Sequence, residues 1–581
     1  MRIATSMLFS NAVTNMNTQE SQILQLQQEV STGQKITNPG DDPVGAAAAV
    51  RINQQISRSD DLKSNRQTAE SQLNTVSTTL SSVTTLLTNV KSELVAAGNG
   101  SYDSSQRQFL ASQLQGQLQQ LTGYANAQDG SGEYLFSGYQ STTQPFVAGN
   151  FVSSVASPTN SGSGSLTTGT ASLNAAFPGN ALVTVTGPNV AGGFNYTVSG
   201  LPGGTTSGTT SASGQFTLGG ASFTLNGTPA ANDSFSLNPA PVQYQGDSGT
   251  RSIEVAEGRH MNTNLTGNTL FGQIPSGNGA FATSAQSGNT GSGLISGGTV
   301  TSTTALTKDQ YQINFTGPGS VVASGQNSGT GSVAVGSISG TPANQDKLQL
   351  TFAVSGGVTT YSLLDNTTGQ AVGTPQPFTA GAPITVNGVQ FSIAGTPGSG
   401  DSFTVGPGPA TSYSVTDLTK NTTVLSNQTY TSGNAIQFDG MSMAITGTPN
   451  TADQFSVAPS TQTNVFATMQ AAINALNGSG SGLQSNTVLA NALATANSGI
   501  DAAQTQISLG QTTVGGRLNE LSSLDSSGAS LVINYKATLA QYTNVDMTSA
   551  ISDLSQAQIS LTAAQKSFVQ VQNLSLFSYI Q

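Results

Sequence analysis

An α+β multidomain chain is predicted, with long N- and C-terminal helices paired in a coiled coil or helical bundle and a β-rich, hairpin-containing insert between them. Three observations carry this. Apolar residues repeat every seven positions near both ends: Val76, Val83 and Val90 alternate with Leu73, Leu80, Leu87 and Leu94, and Met547, Leu554, Leu561 and Phe568 keep the same spacing. Of the 21 prolines, 18 lie in residues 151–462 and none in 463–581. Proline removes a helix donor and clashes with the preceding turn, so the helices belong to the two ends. A Gly-Thr-Pro-x-x-x-Asp motif also recurs in the middle. Helical ends around a β-type insert can close onto each other, which suits a subunit of a rod or tube better than an enzyme.

Composition narrows the partners. Charged residues make up 7 % of the 581 positions, against about 25 % in a typical soluble domain. Polarity comes from Ser, Thr, Asn, Gln and 67 glycines, and 16 basic against 27 acidic residues leave a net charge of −11. No basic stripe marks a nucleic-acid surface, and Lys and Arg are too scarce for a polybasic membrane patch. With no cysteine there are no disulfides, thiolate nucleophiles or Cys-ligated metal sites. Met1-Arg2-Ile3-Ala4-Thr5-Ser6 leads into no apolar core of an ordinary secretory signal. No run approaches the roughly 20 apolar residues of a membrane-spanning helix. A soluble chain is expected, with any export using another route.

In chain order, Phe9, Met16, Ile23 and Val30, with Val13 and Leu26 between, predict an amphipathic helix over 1–35 with a narrow seam. Thr37-Asn38-Pro39-Gly40 is a turn cluster. Asp41 or Asp42 then supplies an N-cap, with Pro43 at or near the first helical position. A helix to about Ala97 follows, ended by Gly98-Asn99-Gly100, with its seam running from Leu62 through Ala69 to Leu94. At 1.5 Å per residue it spans roughly 80 Å and must pack lengthwise on others. A helix over Ser104–Gln128 turns Leu110, Leu114, Leu118 and Leu121 inward, and Glu133-Tyr134-Leu135-Phe136 reads as a short strand turning back. Near the other end, Leu493, Ile500, Ile507, Val514 and Leu521 repeat with Ala496 and Ala503 between them, and a final helix runs from about Asp546 to Leu574.

The middle repeats itself. Gly227-Thr228-Pro229 precedes Asp233, Gly395-Thr396-Pro397 precedes Asp401, and Gly447-Thr448-Pro449 precedes Asp453. A weaker fourth match runs from Gly340-Thr341-Pro342 to Asp346. Alternating apolar residues on both sides predict two strands joined by a loop, with the aspartate accepting backbone N–H bonds inside it. No second ligand repeats with these aspartates, so metal binding is not expected. The resulting domain expectation is 1–42 with 540–581 as a terminal coiled-coil domain, 43–150 with 463–539 as a helical bundle, and 151–462 as the variable β-rich outer part.

No catalytic, cofactor-binding or metal-binding residue is assigned. Gly246-Asp247-Ser248-Gly249 resembles a serine-protease nucleophile segment, but that chemistry needs a His and an orienting Asp. The one histidine, His260, follows this serine where that family places it before. His260 cannot build a typical zinc site alone, and Arg259-His260 is expected to lie exposed on a turn. Asp41-Asp42 sits at a helix start, where carboxylates offset the dipole, and Asp60-Asp61 reads as a solvated face. Sequence leaves open a pair of carboxylates across a cleft in the middle.

Ser31-Thr32-Gly33-Gln34-Lys35-Ile36-Thr37-Asn38-Pro39-Gly40-Asp41-Asp42-Pro43-Val44-Gly45-Ala46 closely resembles the N-terminal signature of the bacterial flagellin superfamily. Met1-Arg2-Ile3-Ala4-Thr5-Ser6-Met7, Glu133-Tyr134-Leu135-Phe136-Ser137-Gly138 with Pro145-Phe146, and the ending Leu574-Ser575-Leu576-Phe577-Ser578-Tyr579-Ile580 are similar to the superfamily's hook–filament junction branch. Tyr244-Gln245-Gly246-Asp247, with Arg251, Gly267 and Phe271, resembles a piece of its variable domain. The resemblance covers about 1–150 and 463–581 and is patchy in the centre. It implies an extracellular, non-enzymatic subunit exported by the flagellar type III apparatus. The implied partners are its own copies in a ring, the first hook-associated protein, flagellin and an export chaperone on the C-terminal helices. Flagellin itself is the alternative, and an adhesive or carbohydrate-binding role is a third reading, weakened by the absence of Trp. The first helix is then expected to pack through Phe9, Met16, Ile23 and Val30 against Leu554, Leu561 and Phe568.

Overall fold

The computed structural model describes residues 2–98, 102–156, 162–168, 181–199, 205–218, 221–286, 288–342, 346–366, 369–478 and 483–573. Six α-helices are seen among them: α1 (Arg2–Thr32), α2 (Pro43–Ala97), α3 (Ser104–Ala125), α4 (Val465–Gly478), α5 (Leu483–Thr543) and α6 (Met547–Asn573). Two compact units result, one from Met1–Asn74, Ser252–Thr263 and Gly515–Gln581, the other from Thr75–Arg251 and Asn264–Val514.

Local chemistry explains the helices. Asp42 caps α2 by accepting the Gly45 N–H at 2.9 Å, with Pro43 first in the helix. Asp103 and Gln106 form a reciprocal capping box at the start of α3. With few charges available, the helices occupy their surfaces with Ser and Thr whose hydroxyls donate to the carbonyl four residues back, as at Thr79, Thr84 and Thr88 of α2. The predicted heptads are buried: Val76, Leu80, Val83, Leu87, Val90 and Leu94 on α2, and Leu493, Ile500, Ile507 and Val514 on α5, are all at most 3 % exposed. Glu133–Phe136, expected as a strand, makes only an isolated bridge, Gln128 to Tyr134. Asp129 instead accepts the Ser131 and Glu133 N–H groups and winds this stretch into turns.

The second unit's β-rich part holds one sandwich three times. The first lies in residues 146–244, the second in 281–316 and 412–459, and the third, nested inside the second, in 319–407. In each, eight strands form a five-stranded sheet in the order first, eighth, third, fourth, fifth, facing a small sheet in which the seventh strand pairs with the second and sixth. The second sandwich adds a two-residue strand, Thr299–Val300, on its seventh. Inward residues of both sheets share one core per sandwich: Val183, Val198, Phe223 and Phe235 in the first, Ile313, Val415, Ile445 and Phe455 in the second, Leu350, Phe391, Phe403 and Val405 in the nested copy.

The Gly-Thr-Pro-x-x-x-Asp segments are not hairpin loops. Each joins the seventh strand to the eighth, and these belong to different sheets. They are corners, each clasped to the corner between the first and second strands. Asp453 accepts the N–H of Asn450 in its own loop and those of Thr290 and Gly291 in the other. Asp401 does the same with Gly398, Ser328 and Gly329, and Asp233 with Ala230 and Gly162. The motif threonines pair hydroxyls across the clasp, Thr228 with Ser163, Thr396 with Thr330 and Thr448 with Ser292, at 2.7, 3.0 and 2.9 Å. The motif glycine takes a left-handed φ in every copy, +78, +82 and +87°, against a carbonyl of the facing corner that a Cβ would strike. So the aspartate does accept bonds within its loop, and the facing corner adds more. The fourth match, from Gly340-Thr341-Pro342 to Asp346, lies between the second and third strands of the nested sandwich rather than between the seventh and eighth, and its residues 343–345 lie outside the described residues.

Candidate functional site

The first unit holds the predicted seam. Helices α1 and α6 pack together, with the Phe9 and Phe568 ring centroids 4.9 Å apart. At their bases two loops are zipped. Lys35 N–H donates to Thr543 O at 2.7 Å, Val545 N–H donates to Gly33 O at 3.1 Å, and Gln34 bridges to Asn544. Gly33 ends α1 in a left-handed conformation, φ +70°, which favours glycine. Asp41, exposed, shapes the next turn by accepting from Thr37 N, Thr37 Oγ1 and Asn38 N. The Asn38 amide foremost, then the Thr37 hydroxyl, holds its carboxyl below the ordinary range. Asp42 is therefore the cap and Asp41 the turn-former. Gly45 faces the cap, and a Cβ there would lie 2.5 Å from Asp42 Oδ2 and 2.8 Å from Ile36 Cδ1. Gly45→Ala is expected to displace the cap and lower stability by about 1 kcal/mol, read as a lower midpoint in thermal unfolding.

The seam is incomplete in the single chain. Of its predicted members only Ile23 is buried, at 8 % exposed. Met16, Val30, Leu554, Leu561 and Phe568 are half-covered, and Met547 is out of the seam at 41 % exposed, its inward place taken by Ala550. The same unit leaves Met7, Leu24, Ile533, Ile551, Ile559 and Val569 exposed. The central heptads of α2 and α5 are closed, so the open stripe belongs to the terminal segments. An apolar face of this kind marks an interaction surface.

A second feature of this unit is one the sequence reading missed. Residues Ser252–Ala256 and Arg259–Asn262 form a hairpin held to the helices by arginines. Arg66, 6 % exposed, donates from Nη1 to Val255 O and from Nε to Asp525. Arg517 donates to Asn262 O, Arg58 pairs with Glu254 and Arg259 with Glu520. Three arginines of the helices, with Arg259 reaching out from the hairpin itself, thus fasten twelve residues of chain. Arg66→Ala is expected to cost on the order of 2 kcal/mol by stranding Val255 O and to raise amide exchange across 252–262. His260 lies exposed on this hairpin rather than on a plain turn.

In the second unit, two stretches singled out by resemblance meet. Tyr244 Oη donates to Phe136 O or Asp247 O, Arg251 donates to Tyr134 O and pairs with Glu133, and Gly267 N–H donates to Phe136 O. Burial, with the Asp247 charge beside it, pushes the Tyr244 hydroxyl up to about 12. Phe271 meets Phe136 and Phe146 edge-on at 5.5 Å, and a Cβ on Gly267 would strike the Phe146 ring at 2.7 Å. Asp247 of the protease-like segment accepts from the Tyr139 and Gly249 amides. That segment is a brace for the turn at 134–141. Asp60 and Asp61 are exposed on α2.

Among the described residues no helix is long and apolar enough to cross a membrane. The resembling ending at 574–580, like Met1 and Asn99-Gly100, lies outside the described residues.

Known proteins agree with the helical reading. The flagellar hook-associated protein 1 D2-like domain matches residues 409–459, which hold the fourth to eighth strands of the second sandwich. Flagellar hook-associated protein 3 of Salmonella typhimurium is 34 % identical over 146 residues, covering 25 % of this chain and 46 % of that protein. Its Escherichia coli counterpart is 32 % identical over 146 residues with the same coverage. The chain thus spans less than half the length of the curated relatives it matches. A crystal structure of flagellar hook associated protein-3 from Legionella pneumophila superposes over 84 % of this chain and 97 % of its own, at 22 % identity and a TM-score of 0.48. The family described as the bacterial flagellin N-terminal helical region matches residues 3–141. That stretch carries α1, α2, α3 and the signature turn, and over it the chain is similar to the helical N-terminal region of bacterial flagellins.

Proposed function

We propose that this chain is a structural, non-enzymatic subunit of the bacterial flagellum that joins hook to filament and self-assembles through its terminal helices. The carrying observation is the half-covered seam of α1 and α6 beside the closed heptads of α2 and α5. Burying one Leu, Ile, Phe or Met side chain fully is worth roughly 1.5–3 kcal/mol. Several such residues covered by one neighbour give a gain of the same order as the association cost of about 4–15 kcal/mol. The seam therefore supports association of copies, which in this reading form a ring. In this reading residues 1–42 and 540–581 form the joint, 43–150 and 463–539 the supporting bundle, and 151–462 the outer part. The first hook-associated protein lies on one side and flagellin on the other, after export through the type III route with a chaperone on the C-terminal helices.

The N-terminal match is shared with flagellin, which is the second reading. Labelled antibody separates them: a single band at the hook–filament boundary is expected, while labelling along the filament means flagellin. Deleting 275–462 should spare motility, because Ile274 pairs with Thr463 and the cut ends already lie side by side. Loss of filament growth would show that the outer sandwiches belong to the joint.

A further inference from the structure

The nested sandwich enters and leaves its host at one place. The third strand of the second sandwich ends at Thr316 and the fourth begins at Ser412, and these two residues still pair directly. Thr411 N–H donates to Thr316 O at 3.0 Å and Gly408 N–H donates to Pro318 O at 3.1 Å. Ninety or so residues therefore replace what would otherwise be a tight hairpin turn, with the ladder beneath undisturbed. The crossing is close, since a Cβ on Gly317 would lie 2.9 Å from Pro409 O and one on Gly408 would lie 2.8 Å from Pro318 O.

The foot of the nested copy also rests on its host's clasp. Thr451 N–H donates to Gly408 O at 2.8 Å, Thr451 Oγ1 donates to Pro318 O at 3.2 Å, and Ala410 N–H donates to Pro449 O at 2.9 Å. Thr451 is buried by this, at 1 % exposed. In the nested sandwich the matching tip carries nothing. Its third and fourth strands run two residue pairs further, to Ser355 opposite Val358. They turn at Gly356 and Gly357, whose φ values are +58 and +81° and where an added Cβ would meet nothing. Val354 and Val358 stand 43 % and 59 % exposed at that tip. The clasp position matching Thr451 is Ser399, exposed and also bearing a hydroxyl, whereas in the first sandwich it is Ala231.

We infer that the tip between the third and fourth strands of this sandwich is an acceptor site for a whole folded domain, served by a hydroxyl on the neighbouring clasp. The nested copy retains that site in working form at Ala353–Thr360 and Ser399, and its natural occupant is a further copy of the same sandwich. The first sandwich, with Ala231 at the clasp, lacks the hydroxyl.

The test uses the full chain with Val354–Thr359 replaced by a second Gly317–Thr411 segment, and reads hydrogen exchange strand by strand. Unchanged protection of 348–353 and 360–365, with equal protection in the added copy, is the expected result. Loss of protection there overturns the inference, provided that a short Gly-Ser loop in place of 354–359 leaves the strands protected. If that loop variant itself unfolds, the tip is not replaceable and the inference also falls. The same segment placed between Ser399 and Gly400 should open the clasp and lose protection across 402–407. Equal tolerance at both places would mean a generally permissive surface rather than an acceptor site. Ser399→Ala in the graft should loosen the added foot, and no change there would remove the hydroxyl from its role.

Discussion

Removal of residues 1–30 is expected to abolish assembly and leave a folded, soluble body. That segment contributes Phe9, Met16 and Ile23, and without it α6 loses the helix it packs on and Phe568 its ring contact with Phe9. The second unit contains none of these residues and keeps its three sandwich cores. Circular dichroism should show reduced helix with strand signal intact, and sedimentation should show a monomer under conditions where the full chain associates. A truncated chain that still supports filaments would sink the seam mechanism. A milder variant, Phe9→Ala with Phe568→Ala, removes the 4.9 Å ring contact. An aromatic pair is worth about 0.5–1.5 kcal/mol beyond its area burial, so this variant should weaken association rather than abolish it.

The second large effect is expected at the clasp. Asp453→Ala in the second sandwich leaves the Thr290, Gly291 and Asn450 amides without their carboxylate. Unsatisfied buried donors cost about 1–3 kcal/mol each, so a loss on the order of 4 kcal/mol is expected after partial solvation. The two corners should separate, seen as rapid amide exchange across 290–293 and 448–453. A ΔΔG below about 1 kcal/mol would mean that the clasp is not a fastening.

Acid distinguishes the copies. At Asp401 the Ser328, Gly398 and Gly329 amides lower the carboxyl below its ordinary value, the Ser328 bond chief among the lowering causes and burial opposing them. Its contribution is present above the unfolded value of about 3.9 and is lost as pH falls through the lower folded value. At Asp453 burial dominates and raises the carboxyl despite the same three-amide cradle. There the contribution of the shift is full below the unfolded value and declines as pH rises through the folded one. Between pH 5 and pH 3 the nested sandwich should therefore loosen relative to the second, measured by exchange at Ser328–Gly329 against Thr290–Gly291.

Legibility in the sequence followed the range of the interaction. The heptads of α2 and α5 were readable because burial every seven residues is a local signal, and every predicted member on α2 from Leu73 to Leu94 is buried. Asp42 and Pro43 announced a helix start for the same reason. The seam at Phe9 and Phe568 was readable only through resemblance, because no periodicity states which helix a stripe will meet. The clasps show the opposite limit. Gly-Thr-Pro-x-x-x-Asp was visible, yet its partner, Asn-Ser/Thr-Gly-Ser/Thr-Gly at 160–164, 289–293 and 327–331, was hidden in a chain rich in exactly those residue types. The partner begins 73 and 74 residues before the aspartate in the first and nested copies but 164 before it in the second, where the nested sandwich intervenes, so no single spacing ties the two. Without the partner, two strands flanking a turn look like a hairpin. The arginine clamp on 252–262 left no trace, because Arg58, Arg66, Arg259 and Arg517 are scattered over some 460 positions and only the fold gathers them.

The contact between Phe9 and Phe568 closes a loop through nearly the whole chain. For a flexible chain the entropy of closure grows as the logarithm of loop length, so each doubling adds only about 0.6 kcal/mol. Folded sandwiches shorten the effective loop further, because a domain entering and leaving at Thr316 and Ser412 contributes little more than a hairpin turn to the path. The β-rich part of the chain can thus grow by nesting while the two terminal helices find each other at almost unchanged thermodynamic cost.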